Sequence, residues 1–113
     1  MHWIHLTDEG QLQKIIVRSQ EKPQVIFKYS TQCDLSEAMF NRLQKNCCSD
    51  QIDFHFLDRI SHDEISAKIS ETFHIANQPS QVLLIKDGAC VFEECHSVIS
   101  LEEIMQRATS VAV

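Results

Sequence analysis

The ten residues FKYSTQCDLS (27–36) set one cysteine between an apolar run and residues that open a helix. A thiol at such a junction faces backbone amides that have no partner inside the helix and carry partial positive charge. Hydrogen bonds from those amides favour the thiolate, so the pKa of Cys33 should fall below the free value of about 8.5. The thiolate is the species that attacks disulfides, which makes Cys33 the candidate nucleophile. Ser36 follows three residues later, where its hydroxyl can donate to the same sulfur. The pattern is C-x-x-S, without the second cysteine that would resolve a mixed disulfide locally. Such a site is suited to monothiol exchange, with an external thiol completing the cycle. The plainer alternative is a small, unreactive cysteine in a loop.

The other thiols and imidazoles carry less chemistry. Cys47 and Cys48 are adjacent, a bridge between neighbours is strained, and Cys47 fits the apolar face of its helix. Cys90 and Cys95 lie five residues apart on one strand, so alternation assigns them to opposite faces and neither is placed to resolve Cys33. His2 with His5, and His55 with Cys47 and Cys48, lack zinc-like spacing, and no metal site is expected. Trp3 reads as a packing residue that tethers the start of the chain. Glu93-Glu94 and Glu102-Glu103 read as solvated surface, the second pair also suiting the first turn of a helix. There is no Gly-rich phosphate loop and no Ser-His-Asp spacing.

The elements that must hold Cys33 follow from periodicity. Thr7 is placed to cap a helix over DEGQLQKIIVRSQ, with Leu12, Ile15 and Ile16 on one face and Pro23 as its limit. QVIFKY (24–29) is a short buried strand. A helix from about Asp34 to Cys47 follows, with Leu35, Met39, Leu43 and Cys47 on one stripe. IDFHFLD (52–58) alternates as a strand, with Ile52, Phe54 and Phe56 on one side. Ser61 and Asp63 open a helix in which Ile65, Ile69 and Phe73 recur every four residues. The non-helical HIANQPSQ leads to the strand VLLIK (82–86), the turn Asp87-Gly88 and the returning strand ACVFEEC (89–95). Ser100 caps a last helix lined by Leu101, Ile104, Met105 and Ala108.

The order is α, β, α, β, α, β, β, α, preceded by a short extended piece at Trp3. Strands separated by helices are expected to run parallel, and the hairpin adds an antiparallel strand. The predicted fold is α/β and thioredoxin-like: a mixed central sheet with helices on both faces and a C-terminal hairpin plus helix. Ligands and chemistry in such sheets gather beyond the carboxyl ends of the parallel strands, where Cys33 falls.

The bulk numbers agree with one domain over residues 1–113 and with a packed core, since 43% of the residues are apolar. The net charge is −6 and the ten Lys and Arg are dispersed, which argues against nucleic acid and anionic membrane as partners. MHWIHLTDEG has neither a basic start nor a continuous apolar stretch, so no export signal is read there. Five cysteines without such a signal point to reduced thiols and a cytoplasmic setting.

WIHLT (3–7), FKYSTQCDLS (27–36), QVLLIKDG (81–88) and CHSVIS (95–100) together resemble the monothiol bacilliredoxins, YtxJ-like proteins of thioredoxin fold. The most specific part is F-K-x-S-T-x-C-x-x-S. The resemblance implies that Cys33 attacks protein–bacillithiol mixed disulfides and takes the small thiol onto itself, with Thr31 and Ser36 as its neighbours. It also implies no bound cofactor, a low-molecular-weight thiol as co-substrate, and oxidised proteins as partners. His96 matches a histidine often found in the family, and we assign it no physical role.

Two departures from the family pattern stand out. Asp34 replaces the proline that often follows the cysteine; a carboxylate there repels a thiolate and competes for the same amides. Pro79-Ser80-Gln81 stands where the family reads Ser-Pro-Gln, which alters the loop expected to meet an extended substrate. These features favour an alternative reading, a thioredoxin-fold adaptor whose chemistry has decayed. A third reading is a monothiol protein holding an iron–sulfur cluster between two copies with an external thiol.

Overall fold

The computed structural model describes residues 3–30, Glu37, Ala38, Phe40, Asn41, residues 52–77 and residues 80–94. The elements are β1 (Trp3–His5), α1 (Gly10–Arg18), β2 (Gln24–Tyr29), β3 (Asp53–Asp58), α2 (Asp63–Phe73), β4 (Gln81–Lys86) and β5 (Ala89–Glu94). Glu37, Ala38, Phe40 and Asn41 are also helical. The expected last helix from Ser100 lies outside the described residues.

The strands form one sheet in the order β1-β3-β2-β4-β5. β3 runs parallel to both β1 and β2, with Phe54 opposite Trp3 on one side and Val25 on the other. β4 is antiparallel to β2, and β5 is antiparallel to β4. The direction of β4 corrects the expectation that a helix between strands forces them parallel. After α2 the chain turns at His74, whose φ of 57° is left-handed, and doubles back, so that Asn77 bonds Ser66 eleven residues earlier. That return delivers Gln81 to the level of Lys28, near the carboxyl end of β2, and β4 then runs down the sheet.

Both faces of β2 and β4 are buried, which accounts for their nearly continuous apolar sequences. On one face Val25, Phe27, Phe54, Val82 and Leu84 pack with Trp3, Tyr29, Phe40, Phe56 and Phe92. On the other, Ile26, Leu57, Leu83 and Ile85 meet Leu12 and Ile15 of α1 and Ile65 and Ile69 of α2. Each fully buried large side chain contributes on the order of 1.5–3 kcal/mol. Trp3 is a packing residue, as its sequence setting implied.

Local signals differ in how they are met. Thr7 does not cap α1; instead Gln11 reaches back, its Oε1 accepting the amides of Thr7 (2.8 Å) and Asp8 (3.0 Å). Ser61 does not cap α2 either. The Asp58 carboxylate takes the Ile60 and Ser61 amides and the Ser61 hydroxyl, since a charged acceptor outcompetes a hydroxyl for the turn's donors. Asp87 (φ 53°) and Gly88 (φ 78°) make the tight turn that their types predict. Beyond it the register slips: Ile85 pairs with Cys90 but Leu84 with Phe92, leaving Val91 as a bulge. Alternation across 90–92 therefore fails, and Cys90 and Phe92 pack on opposite faces despite their even spacing.

Candidate functional site

Cys33, Thr31, Asp34, Ser36 and Pro79 lie outside the described residues, as do Cys47, Cys48, Cys95 and His96. Ser80 is described and is buried at 2% exposure. What can be built is the frame around the thiol-bearing connection. β2 ends at Tyr29, Ser30 is buried directly after it, and helical geometry is present from Glu37. The strand-to-helix junction expected around Cys33 is thus bordered on both sides by the elements the sequence called for.

Each border is anchored. The carbonyl of Tyr29 accepts the Arg59 amide at 2.8 Å, which ties the end of β2 to the turn after β3. On the helical side Phe40 stacks on Phe27 (centroids 6.1 Å apart, 11° between planes) and on Trp3 (5.6 Å, 30°), and meets Tyr29 and Phe56 edge-on. Phe40 was not on the predicted stripe of Leu35, Met39 and Leu43. It neighbours Met39, so a broader apolar face would have included it.

The opposite face at this level holds a polar cluster that sequence reasoning missed. Lys28 is fully buried, and its ammonium donates to the Ser66 carbonyl (3.1 Å), Ser70 Oγ (2.8 Å) and Asn77 Oδ1 (3.2 Å). Three acceptors match the three N–H donors of a protonated lysine. Burial, reinforced by the positive Arg59, lowers its pKa to about 8 despite the opposing fields of Cys90 and Glu93. The signal was present in the sequence as a lysine inside an otherwise apolar strand.

Beside Lys28, its register partner Gln81 donates to the Ala76 carbonyl (3.0 Å) and to Glu93 (2.8 Å). Glu93 is thus exposed but engaged. Cys90 is a free thiol whose Sγ meets the Phe92 carbonyl at 3.3 Å, and burial raises its pKa. A raised pKa suits a packing cysteine rather than a nucleophile.

A cleft of about 590 Å³ opens beyond the carboxyl ends of β1 and β3, between Thr7, Asp8 and Glu9 on one side and Ile60–Ile65 on the other. Its lining includes Asp8, Glu9, Asp63 and Glu64, so the cleft is acidic.

The amino ends of β2 and β3 carry a second buried network, far along the strands from the junction. Gln24 Nε2 donates to Asp53 (2.9 Å), so its Oε1 accepts the Nε2 proton of His55 (2.7 Å) and fixes that tautomer. Asp53 also pairs with Arg18 (3.0 Å) and Lys22 (2.9 Å). Burial works to raise the Asp53 pKa, but the bonds from Gln24 and Lys22 and the two positive charges outweigh it and lower the value. His55 is driven to about 4 by burial, only partly opposed by Asp53, and is neutral at physiological pH.

A mixed sheet with this order, covered on both faces, defines a thioredoxin-like domain. The solved structures agree on the fold. A thioredoxin of Malassezia sympodialis (Mala s 13) superposes with a TM-score of 0.78 at 14% identity, covering 96% of this chain and 92% of its own. A Fasciola hepatica thioredoxin gives 0.72 at 21% identity, covering 94% and 99%. A third structure, presented as a candidate oxidoreductase with a thioredoxin fold, gives 0.79 at 19% identity, covering 92% and 91%. Residues 4–104 match the family described as monothiol bacilliredoxin BrxC, and the chain belongs to that family of thiol oxidoreductases. No curated protein matches the sequence. Among the described residues no helix is long and apolar enough to cross a membrane.

Proposed function

We propose that the chain is a monothiol thiol–disulfide oxidoreductase that removes bacillithiol, or a similar small thiol, from mixed disulfides on proteins. The Cys33 thiolate attacks the sulfur of the small thiol, a new disulfide forms between them, and the client cysteine leaves as a thiolate. The client is reduced and Cys33 is oxidised by the same two electrons. A second small thiol, or another redoxin, then attacks the adduct on Cys33 and releases it as a thiolate. No bound cofactor enters either step, and reduced cytoplasmic thiols are the natural setting for the second.

The observation that supports this reading most is the family match across residues 4–104, which spans the junction between β2 and the helical Glu37. Ser36 and Thr31 stand within three residues of the sulfur as hydroxyl donors, and Asp34 moderates its acidity. The test incubates the protein with a client carrying a defined bacillithiol adduct and weighs both partners by mass spectrometry. The adduct should move from client to Cys33, and no transfer should occur with Cys33→Ser. Transfer to Cys47, Cys90 or Cys95 instead, or none at all, would favour the adaptor reading.

A further inference from the structure

Two residues that face each other across β2 and β4 grip two neighbouring residues of one connecting segment. Lys28 and Gln81 are register partners, and directly opposed residues of an antiparallel pair share a face. Lys28 holds the side chain of Asn77 (3.2 Å), and Gln81 holds the carbonyl of Ala76 (3.0 Å). Ser66 of α2 adds a hydroxyl bond to the same Asn77 oxygen at 2.8 Å. Asn77 lies three residues before Ser80, which directly precedes β4.

We infer that Lys28 is a positioning residue: its buried ammonium, bonded to Ser66, Ser70 and Asn77, seats the 75–77 segment and so sets the height of the Ser80 loop against an extended substrate. The inference rests on the exchange reading above, since it assigns Lys28 to the substrate side of that reaction. Burying an unpaired ammonium in an apolar sheet is costly, and Ile26 on the same face shows that an aliphatic residue fits such a position. What an aliphatic residue cannot do is bond α2 and the connecting segment at once. The cost of the buried charge is offset by three donors aimed at two separate pieces of chain. Ile75 is fixed by packing on the core and by its amide, which donates to the Ser70 carbonyl (3.0 Å), whereas Asn77 is held through its side-chain oxygen, by Lys28 and Ser66.

The test compares wild type with Lys28→Met, Asn77→Ala and the double variant, all checked for cooperative unfolding. Exchange is measured with a peptide carrying a bacillithiol adduct and with the free cysteine–bacillithiol disulfide, which has no peptide backbone to offer. Lys28→Met should raise KM for the peptide by about tenfold, the equivalent of one lost positioning bond, while the rate with the free disulfide stays within about twofold. Asn77→Ala should reproduce the effect, and the double variant should add nothing further. Equal losses with both substrates, or none with either, would overturn the inference. Should wild type exchange neither substrate, the functional reading fails first. Amide hydrogen exchange then decides the positioning role, because Lys28→Met should speed exchange over residues 76–82, and unchanged protection there would contradict it.

Discussion

Phe40 lies flat against Phe27, their planes 11° apart, so the helix that follows Cys33 is clamped to the strand that precedes it. The two rings close the junction from both ends, and Trp3 widens the stack with a second face on Phe40. The helical residues around Phe40 are thereby fixed against β2 and β1.

Phe40→Ala should therefore cost about 2–3 kcal/mol of stability, through lost burial and ring contacts. It should also slow alkylation of Cys33 at neutral pH, because a loosened helix start presents its amides less well. Chemical denaturation and single-site alkylation measure the two effects. A stability loss with unchanged Cys33 reactivity would separate the clamp from the chemistry.

Ser19, buried at 2% exposure, joins the end of α1 to the hairpin: its Oγ donates to the Ile16 carbonyl (2.6 Å) and accepts the Gly88 amide (2.8 Å). Ser19→Ala should destabilise by roughly 1–2 kcal/mol, because the Gly88 amide loses its partner while the turn keeps its shape. Denaturant midpoints with an unchanged m-value would report this.

His55 gives the fold an acid limit. Its folded pKa is about 4 and that of the unfolded chain is near 6.5, so between these values the unfolded state binds more protons. Stability is complete above pH 6.5 and declines as pH falls toward 4, by roughly 3 kcal/mol from this residue. His55→Gln should flatten that part of the stability profile. Profiles of equal slope in the two proteins would show that His55 does not titrate as described.

Lys28 acts at the alkaline end. Arg59 from the turn after β3, and Cys90 and Glu93 from β5, are the charged groups that bear on it. With a folded pKa of about 8 and an unfolded value near 10.4, the folded state sheds its proton first. The contribution of Lys28 to stability should thus rise between pH 8 and 10.4, by on the order of 3 kcal/mol, as the charge penalty is relieved. Wild type measured against Lys28→Met across that range isolates the effect. A constant difference between the two would contradict it.

The sequence showed the strands and the hairpin well because burial and turn chemistry are local. QVIFKY matches β2 residue for residue, and Asp87-Gly88 takes the positive φ values its types allow. What it hid depends on partners distant in the chain. The direction of β4 is set by the doubling back at Asn77, and the bulge at Val91 by pairing with β4. The caps at Thr7 and Ser61 were lost to Gln11 and Asp58, longer or charged groups that reach the same amides. Lys28 was read only as part of a buried strand, since its acceptors come from residues 66, 70 and 77. The candidate site was read as a motif, FKYSTQCDLS, most of which lies outside the described residues; β2 precedes it and helical residues from Glu37 follow it.

The most direct measurement is the pH dependence of alkylation at Cys33 alone, followed by peptide mass in a protein that keeps its other cysteines. A thiolate held by a helix start should titrate clearly below the free value of about 8.5, even with Asp34 beside it. A titration at or above that value would mean that the sulfur is not activated, and that the exchange chemistry assigned to this chain is wrong.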